Sequence, residues 1–89
     1  MLRDMIKQDI RSILGPNSLY PIPQGVDVEV MGDENLAHAE FYSPIAMVLS
    51  RTIHKPASEI GSYLVNGLIA RGYSSRMTNA GFIEVLDNA

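Results

Sequence analysis

The sequence predicts an α+β domain: a small, mainly antiparallel sheet packed by three or more helices and closed by a C-terminal β-hairpin. Two observations indicate this class. Segments with strand-like alternation are separated by segments with helical periodicity, and the last two strand-like segments are joined by a short turn, Asn79-Ala80-Gly81. A turn of this length joins antiparallel neighbours. With 89 residues, the chain is expected to form a single domain over residues 1–89.

The first predicted element is an amphipathic helix over residues 2–14. Apolar side chains recur at intervals of three and four, which places them on one stripe that packs in the core. The stripe consists of Leu2, Met5, Ile6, Ile10, Ile13 and Leu14. Gly15-Pro16 ends the helix, because glycine accepts a left-handed cap and proline cannot continue the hydrogen-bond ladder.

A loop and two strands are predicted next. Residues 15–25 contain three prolines and two glycines, which is typical of a constrained loop. The alternation of three valines with polar residues predicts a half-buried strand over 26–31. Residues 32–35 are predicted to form a turn, and residues 36–41 a short strand.

Two helices and a hairpin complete the prediction. Ser43-Pro44 is typical of a helix start, and the apolar residues that follow predict a buried helix that runs to Ile53. Lys55-Pro56 opens the next helix, which Arg71-Gly72 ends. Its predicted inner face consists of Ile60, Tyr63, Leu64 and Leu68, and Gly61 and Gly67 permit close helix contact. In the hairpin, residues 73–78 pair with residues 82–86.

The charges are unevenly distributed along the chain. The net charge is −3, which argues against a general nucleic-acid coat protein. Residues 41–83, however, carry four bases against one acid, so their net charge is +3 and that of the remainder is −6. The four bases are Arg51, Lys55, Arg71 and Arg76. This clustering reflects either chance or a local surface that faces a polyanion.

Several functional classes are not expected. There are no cysteines, which excludes disulfides, zinc–thiolate sites, iron–sulfur clusters and cysteine nucleophiles, and which suits the cytoplasm. His38 and His54 lie outside any motif, and no glycine-rich phosphate loop occurs. We therefore expect no catalysis by this chain, no cofactor and no metal. No apolar run approaches the roughly 18 to 20 residues of a membrane span, and the first residues do not resemble a signal peptide.

A binding surface on the hairpin is the better candidate. If Ile83 and Val85 are buried, Phe82 and Glu84 point to the opposite face of the strand. An exposed Phe82, flanked by Asn79 and Glu84, could stack on an unpaired base and read its edge, with Arg76 near the phosphates. The alternative is that both faces of the sheet are covered and that Phe82 belongs to the core.

Three stretches resemble the N-terminal additional domain of arginyl-tRNA synthetase. They are YSPIAMVLSR at 42–51, KPASEI at 55–60 and NAGFI at 79–83. That family has a tyrosine that opens an Ala/Met/Leu-rich helix, then a lysine–proline helix start followed by Glu-Ile, and finally an Ala-Gly-Pro-Gly-Phe-Ile-Asn hairpin. The resemblance covers roughly residues 38–86, and more loosely the opening helix. This chain has Glu40-Phe41 for the family's Gly-Asp, Ala80 for its hairpin proline, and Glu84 for its final amide.

The resemblance implies an accessory α+β domain that precedes a class I catalytic domain and contacts the tRNA elbow, including the D-loop. The closing hairpin of the family holds an unpaired D-loop base, and the matching positions are Asn79, Phe82 and Glu84. The catalytic His-x-Gly-His and Lys-Met-Ser-Lys-Ser elements do not occur, so arginine activation is not expected. We expect either part of a synthetase, with its catalytic domain as a partner, or a free-standing relative.

The leading expectation is a non-catalytic tRNA-binding module. The predicted contacts are Phe82 in stacking, Asn79 and Glu84 at the base edge, and Arg51, Lys55, Arg71 and Arg76 on phosphates. The alternative is a protein interaction or dimerisation module with the same fold, which would use apolar surface near Tyr20, Ile22, Met31 or Tyr42 and could form a homodimer.

Overall fold

The structure, a computed structural model, describes residues 2–33 and 40–86, with the backbone alone at position 33. In chain order the elements are α1 (Leu2–Ile13), β1 (Met31–Asp33), β2 (Glu40–Ser43), α2 (Ile45–Ile53), α3 (Ala57–Ala70), β3 (Ser74–Met77) and β4 (Ile83–Leu86). The predicted α+β class is confirmed, and so are the three helices and the C-terminal hairpin.

The sheet is antiparallel throughout. Its strands lie in the order β1-β2-β4-β3, so the last strand of the chain occupies an interior position between β2 and β3. Tyr42 on β2 lies opposite Glu84 on β4, and Glu84 lies opposite Arg76 on β3. Because strand side chains alternate between faces, these three residues lie on the same face of the sheet.

The helices cover the other face of the sheet. α3 packs on β3 and β4, while α1 and α2 pack against α3. The side chains of Phe41, Ile83 and Val85 point into this layer and are buried. They join a core that also contains Ile6, Ile10, Leu14, Ile45, Leu49, Ile60, Leu64 and Leu68.

Two glycines of α3 permit the close packing that the sequence predicts. A Cβ atom on Gly67 would lie 2.8 Å from Cγ2 of Ile13 on α1. A Cβ atom on Gly61 would lie 2.5 Å from Sδ of Met77 on β3. α3 therefore approaches the first helix on one side and the hairpin on the other through positions that have no side chain.

Local backbone features mark the start of α2 and the end of α3 close to where the sequence predicts them. The Ser43 hydroxyl accepts a hydrogen bond from the Ile45 amide at 3.3 Å, which satisfies one free donor at the start of α2. α3 ends at Ala70, and Gly72 has a φ of +99°, as a glycine after a helix end commonly does.

The predicted strand over 26–31 is wrong at residues 26–30, and the predicted turn over 32–35 is wrong at Gly32 and Asp33, which belong to β1; residues 34 and 35 lie outside the described residues. Val28 and Val30 are buried as the alternation indicates, but residues 26–30 form no strand, and the ladder with β2 is made by Met31–Asp33. Alternation predicts which side chains are buried, whereas pairing depends on the register with β2. Residues 36–39 of the next predicted strand, and with them His38, lie outside the described residues.

Two burial predictions also need correction. Met5 is 56% exposed, so the buried stripe of α1 is narrower than the spacing of its apolar residues predicts. α2 is not buried on all sides, since Val48 is 38% exposed and only one face of the helix meets α3. In residues 2–33 and 40–86, no helix is long and apolar enough to cross a lipid bilayer.

We call the sheet surface opposite α3 the open face. Phe82 precedes β4 by one residue and continues its alternation, so it shares this face with Glu84. Glu40 and Arg76 are exposed on the open face, and Tyr42 and Phe82 are half-buried there.

Candidate nucleic-acid interface

Hydrogen bonds with Thr78 fix both the carbonyl and the amide of Phe82. The Thr78 amide donates to the Phe82 carbonyl at 2.8 Å, and the Phe82 amide donates to the Thr78 hydroxyl at 3.1 Å. The loop itself is closed by a bond of 2.9 Å from the Gly81 amide to the Thr78 carbonyl. Gly81 has a φ of +93°, as the last position of a three-residue hairpin loop requires.

The loop lies directly on the first turn of α2. A Cβ atom on Gly81 would lie 2.9 Å from Sδ and 3.1 Å from Cγ of Met47, so the glycine backbone packs against this side chain. Asn79 and Ala80 are exposed at the tip. The orientation of the tip is therefore fixed relative to α2 by packing as well as by hydrogen bonds within the loop.

Phe82 is on the open face and is half-buried there. Its neighbours in the strand, Ile83 and Val85, are buried on the opposite side. Ile83 and Val85 are buried as predicted, whereas Phe82, which the sequence predicts to be exposed, is only partly so. A residue that is partly covered by the protein and partly open to solvent suits a stacking platform, which needs a supported ring that a planar ligand can reach.

Arg76 and Glu84 bind each other across the hairpin. Nε of Arg76 donates to Oε1 of Glu84 at 2.8 Å, and Nη2 lies 3.5 Å from Oε2. The side chain of Glu84 is 11% exposed and that of Arg76 is 73% exposed. The carboxylate is therefore nearly enclosed, whereas the guanidinium that binds it is largely open to solvent.

This ion pair shifts the titration of both partners. The hydrogen bond from Arg76 lowers the pKa of the Glu84 carboxyl below its ordinary value, against the opposing effect of desolvation. The same bond raises the pKa of Arg76. Beside the pair, desolvation and the charges of Glu40 and Glu84 raise the pKa of Tyr42, whose hydroxyl lies 3.4 Å from Oε2 of Glu40. Near neutral pH the pair is fully charged.

The four predicted phosphate-binding bases lie at separate places. Arg51 and Lys55 are exposed in the last turn of α2 and just after it, and within the described part of the chain neither forms an ion pair. Arg51 is four residues from Met47 and thus projects from the same side of α2. Arg76 is held by Glu84.

Arg71 is not brought near the hairpin loop. It donates to Asp9 at 2.9 Å and to the Ser12 hydroxyl at 3.1 Å, so it ties the end of α3 to α1. The hairpin loop lies towards the opposite end of α3, where Gly61 contacts β3. α3 has 14 residues, which corresponds to a length of about 20 Å.

The apolar surface that a protein-interaction module would use is partly packed within the fold. Tyr20 packs edge-to-face on Tyr63, with ring centroids 5.4 Å apart, and both Tyr20 and Ile22 pack against the core. Met31 is exposed and lies opposite Tyr42 in the register of β1 and β2. These last two residues form an apolar part of the open face.

Three contributors to the site were missed by the sequence-based reasoning. Thr78 fixes the backbone of Phe82, Met47 supports Gly81, and Glu84 is paired with Arg76. The last contact could have been found from the sequence, because a loop of three residues between Thr78 and Phe82 places residue 76 opposite residue 84. The contact of Met47 with the loop depends on how α2 packs and has no comparable signal.

Of three comparisons with known proteins, one identifies a family. No curated protein and no solved structure matches the chain significantly. The family model described as the arginyl tRNA synthetase N terminal domain matches residues 1–86, which include every described element from α1 to β4. The chain belongs to the family of arginyl-tRNA synthetase N-terminal domains.

Proposed function

We propose that this chain is a non-catalytic tRNA-binding module that contacts the elbow and D-loop of tRNA, either within a synthetase or as a relative of one. Family membership supports this function, and the half-buried position of Phe82 just before β4 is the observation that carries it. Every nucleobase has a π-face, so a supported aromatic ring can hold an unpaired base.

The proposed contact set centres on the hairpin loop and α2. Phe82 stacks on the base, and the exposed amide of Asn79, which both donates and accepts hydrogen bonds, contacts its edge. Arg51 and Lys55 bind phosphates, because they are exposed and carry no ion pair within residues 2–33 and 40–86. Such a module suits a cytoplasmic setting.

The remaining predicted RNA contacts involve residues that are bonded within the protein. Arg76 and Glu84 bond each other, and Arg71 is bonded to α1, so each would have to leave a partner to reach RNA. Their direct roles stay predictions. With two bases available, log K should fall with log salt concentration with a slope of about −1.5, which is shallow for a nucleic-acid-binding protein.

Substitutions of Phe82 test the proposal. Fluorescently labelled tRNA is titrated with the wild-type chain and with Phe82→Ala, Phe82→Leu and Phe82→Tyr. Removal of one stacking contact costs about 1–3 kcal/mol, so the alanine variant should bind roughly 5- to 150-fold more weakly. The leucine variant should resemble it, because leucine keeps apolar volume but has no π-face, and the tyrosine variant should resemble the wild type.

The matched control is Leu19→Ala, which removes a highly exposed apolar side chain from the loop after α1. It should leave tRNA binding unchanged. Circular dichroism and thermal melting establish that each variant is folded. If a folded Phe82→Ala variant binds tRNA as tightly as the wild type, the proposed stacking site is wrong.

A second candidate function is docking of another protein, such as a synthetase catalytic domain or a second copy of the chain. The observation in its favour is the adjacency of Met31 and Tyr42 on the open face. Light scattering coupled to size-exclusion chromatography separates the two functions: a stable dimer without affinity for tRNA would favour docking.

A further inference from the structure

On the open face of the hairpin, the guanidinium of Arg76 is bound by the carboxylate of Glu84. Arg76 and Glu84 lie opposite each other on β3 and β4. Nε of Arg76 is 2.8 Å from Oε1 of Glu84, and Nη2 reaches towards Oε2. Because Glu84 is nearly enclosed and Arg76 is largely exposed, the arginine is the partner that solvent and any RNA would meet first.

A carboxylate and a phosphate compete for the same donors. Both present paired oxygens that fit the fork of a guanidinium, and the N–H that points at Glu84 cannot point at a phosphate at the same time. The hydrogen bond that lowers the pKa of Glu84 keeps it ionised near neutral pH. The competition is therefore present under the conditions in which RNA would bind.

The surroundings of the pair do not restore the lost positive charge. The pair is neutral as a unit, and Glu40 adds a negative charge to the same face, beside the hydroxyl of Tyr42. Ser74 and Leu86 lie opposite each other in the next row of the sheet. Glu40 also acts on Arg76, because its charge adds to the hydrogen bond with Glu84 in raising the pKa of the guanidinium.

We propose that Glu84 occupies, as an internal carboxylate, the position that an RNA phosphate would take on Arg76, and thereby lowers the affinity of this surface for tRNA. This inference rests on the proposed function. It makes Glu84 an affinity-determining residue that acts through Arg76 and does not itself contact the base, in contrast to the role that the family resemblance implies.

The experiment compares Glu84→Gln with the wild type in tRNA titrations at several salt concentrations, with the full 89-residue chain. Release of Arg76 should tighten binding by roughly two- to fivefold, the range of one exposed ion pair. It should also steepen the salt dependence by about 0.7–0.9, the contribution of one phosphate contact. The control Glu40→Gln removes a charge from the same face without freeing a base, so its slope should equal that of the wild type.

The double variant Arg76→Gln/Glu84→Gln provides a test at unchanged net charge. If neither Arg76 nor Glu84 contacts RNA in the wild type, this variant should bind tRNA with the wild-type affinity. Its slope of log K against log salt concentration should also equal that of the wild type. A several-fold loss would mean that Arg76 already contacts RNA, and would overturn the inference. A Glu84→Gln variant with the slope of the wild type would overturn it as well.

The two proposals fail in different ways. If tRNA binding is insensitive to Phe82→Ala, the proposed stacking site fails, whatever Glu84→Gln does. If binding depends on Phe82 but not on Glu84, the site stands and the internal competition is refuted. A chain with no measurable affinity for tRNA, either as wild type or as Glu84→Gln, refutes both.

Discussion

Substitution of Gly81 by alanine should damage the fold and the proposed site together. Its φ of +93° is unfavourable for a residue with a Cβ atom, by about 1–2 kcal/mol. The new Cβ would also lie 2.9 Å from Sδ of Met47, so either the loop or the methionine must shift. Overpacking of this kind costs about 1 kcal/mol or more. We therefore expect a total destabilisation of about 2–3 kcal/mol.

The measurement is urea-induced unfolding of the wild type and Gly81→Ala, followed by circular dichroism. Gly25→Ala is the matched control, because Gly25 has a similar φ of +91° but a Cβ atom added there would have nothing within 4 Å. The free energy of unfolding of Gly25→Ala should fall only by the conformational cost of the positive φ, about 1–2 kcal/mol. The Met47→Ala exchange in the Gly81→Ala background should recover part of the steric cost.

The same variants connect loop geometry with binding. Because Phe82 follows Gly81 directly and its backbone is fixed by Thr78, a displaced loop should move the ring and weaken tRNA binding. Two results would refute this reasoning. Gly81→Ala could be no more destabilising than Gly25→Ala, or a folded Gly81→Ala chain could bind tRNA with unchanged affinity.

Two further predictions concern the helix packing and the ion pair. Gly67→Ala should destabilise the domain by about 1 kcal/mol, because the clash with Ile13 exceeds the gain in helix propensity. In a double-mutant cycle of unfolding free energies, Ile13→Ala should couple favourably with Gly67→Ala. Simple additivity of the two free-energy changes would contradict the contact. The lowered pKa of Glu84 means that its ionised form stabilises the fold above the unfolded pKa of roughly 4.3, and that this stabilisation is lost as the pH falls through the folded pKa. The stability difference between the wild type and Glu84→Gln, measured in urea, should therefore be present near pH 7 and shrink towards about pH 3; a difference that does not change with pH would contradict the ion pair.

The helices could be predicted from the sequence because their signals are local. Ser43-Pro44 and Arg71-Gly72 mark helix ends through backbone chemistry that needs no tertiary contact. The prediction of a strand over 26–31 fails at residues 26–30 for the opposite reason. The valines alternate because they are buried on one side, but a ladder needs a partner in register, and β2 pairs with Met31–Asp33.

The candidate site was predictable to the extent that it follows from hairpin register. The division of Phe82 from Ile83 between two faces required only alternation. The engagement of Arg76 by Glu84 required counting across the loop, and the support of Gly81 by Met47 required the packed position of α2. The sequence therefore indicated the ring of the proposed site better than its charges, since charges act through partners that are distant in the chain.

The ion pairs change what the basic middle of the chain can contribute to RNA binding. Arg71 and Arg76 are paired with Asp9 and Glu84, so much of the local positive charge is compensated within the protein. Counterion release depends on bases that can reach phosphates, and it weakens as salt concentration rises. Stacking on Phe82 is not screened by salt. If the module binds tRNA, the ring must therefore supply a growing share of the affinity at higher salt, whereas a charge-driven surface would lose its affinity there.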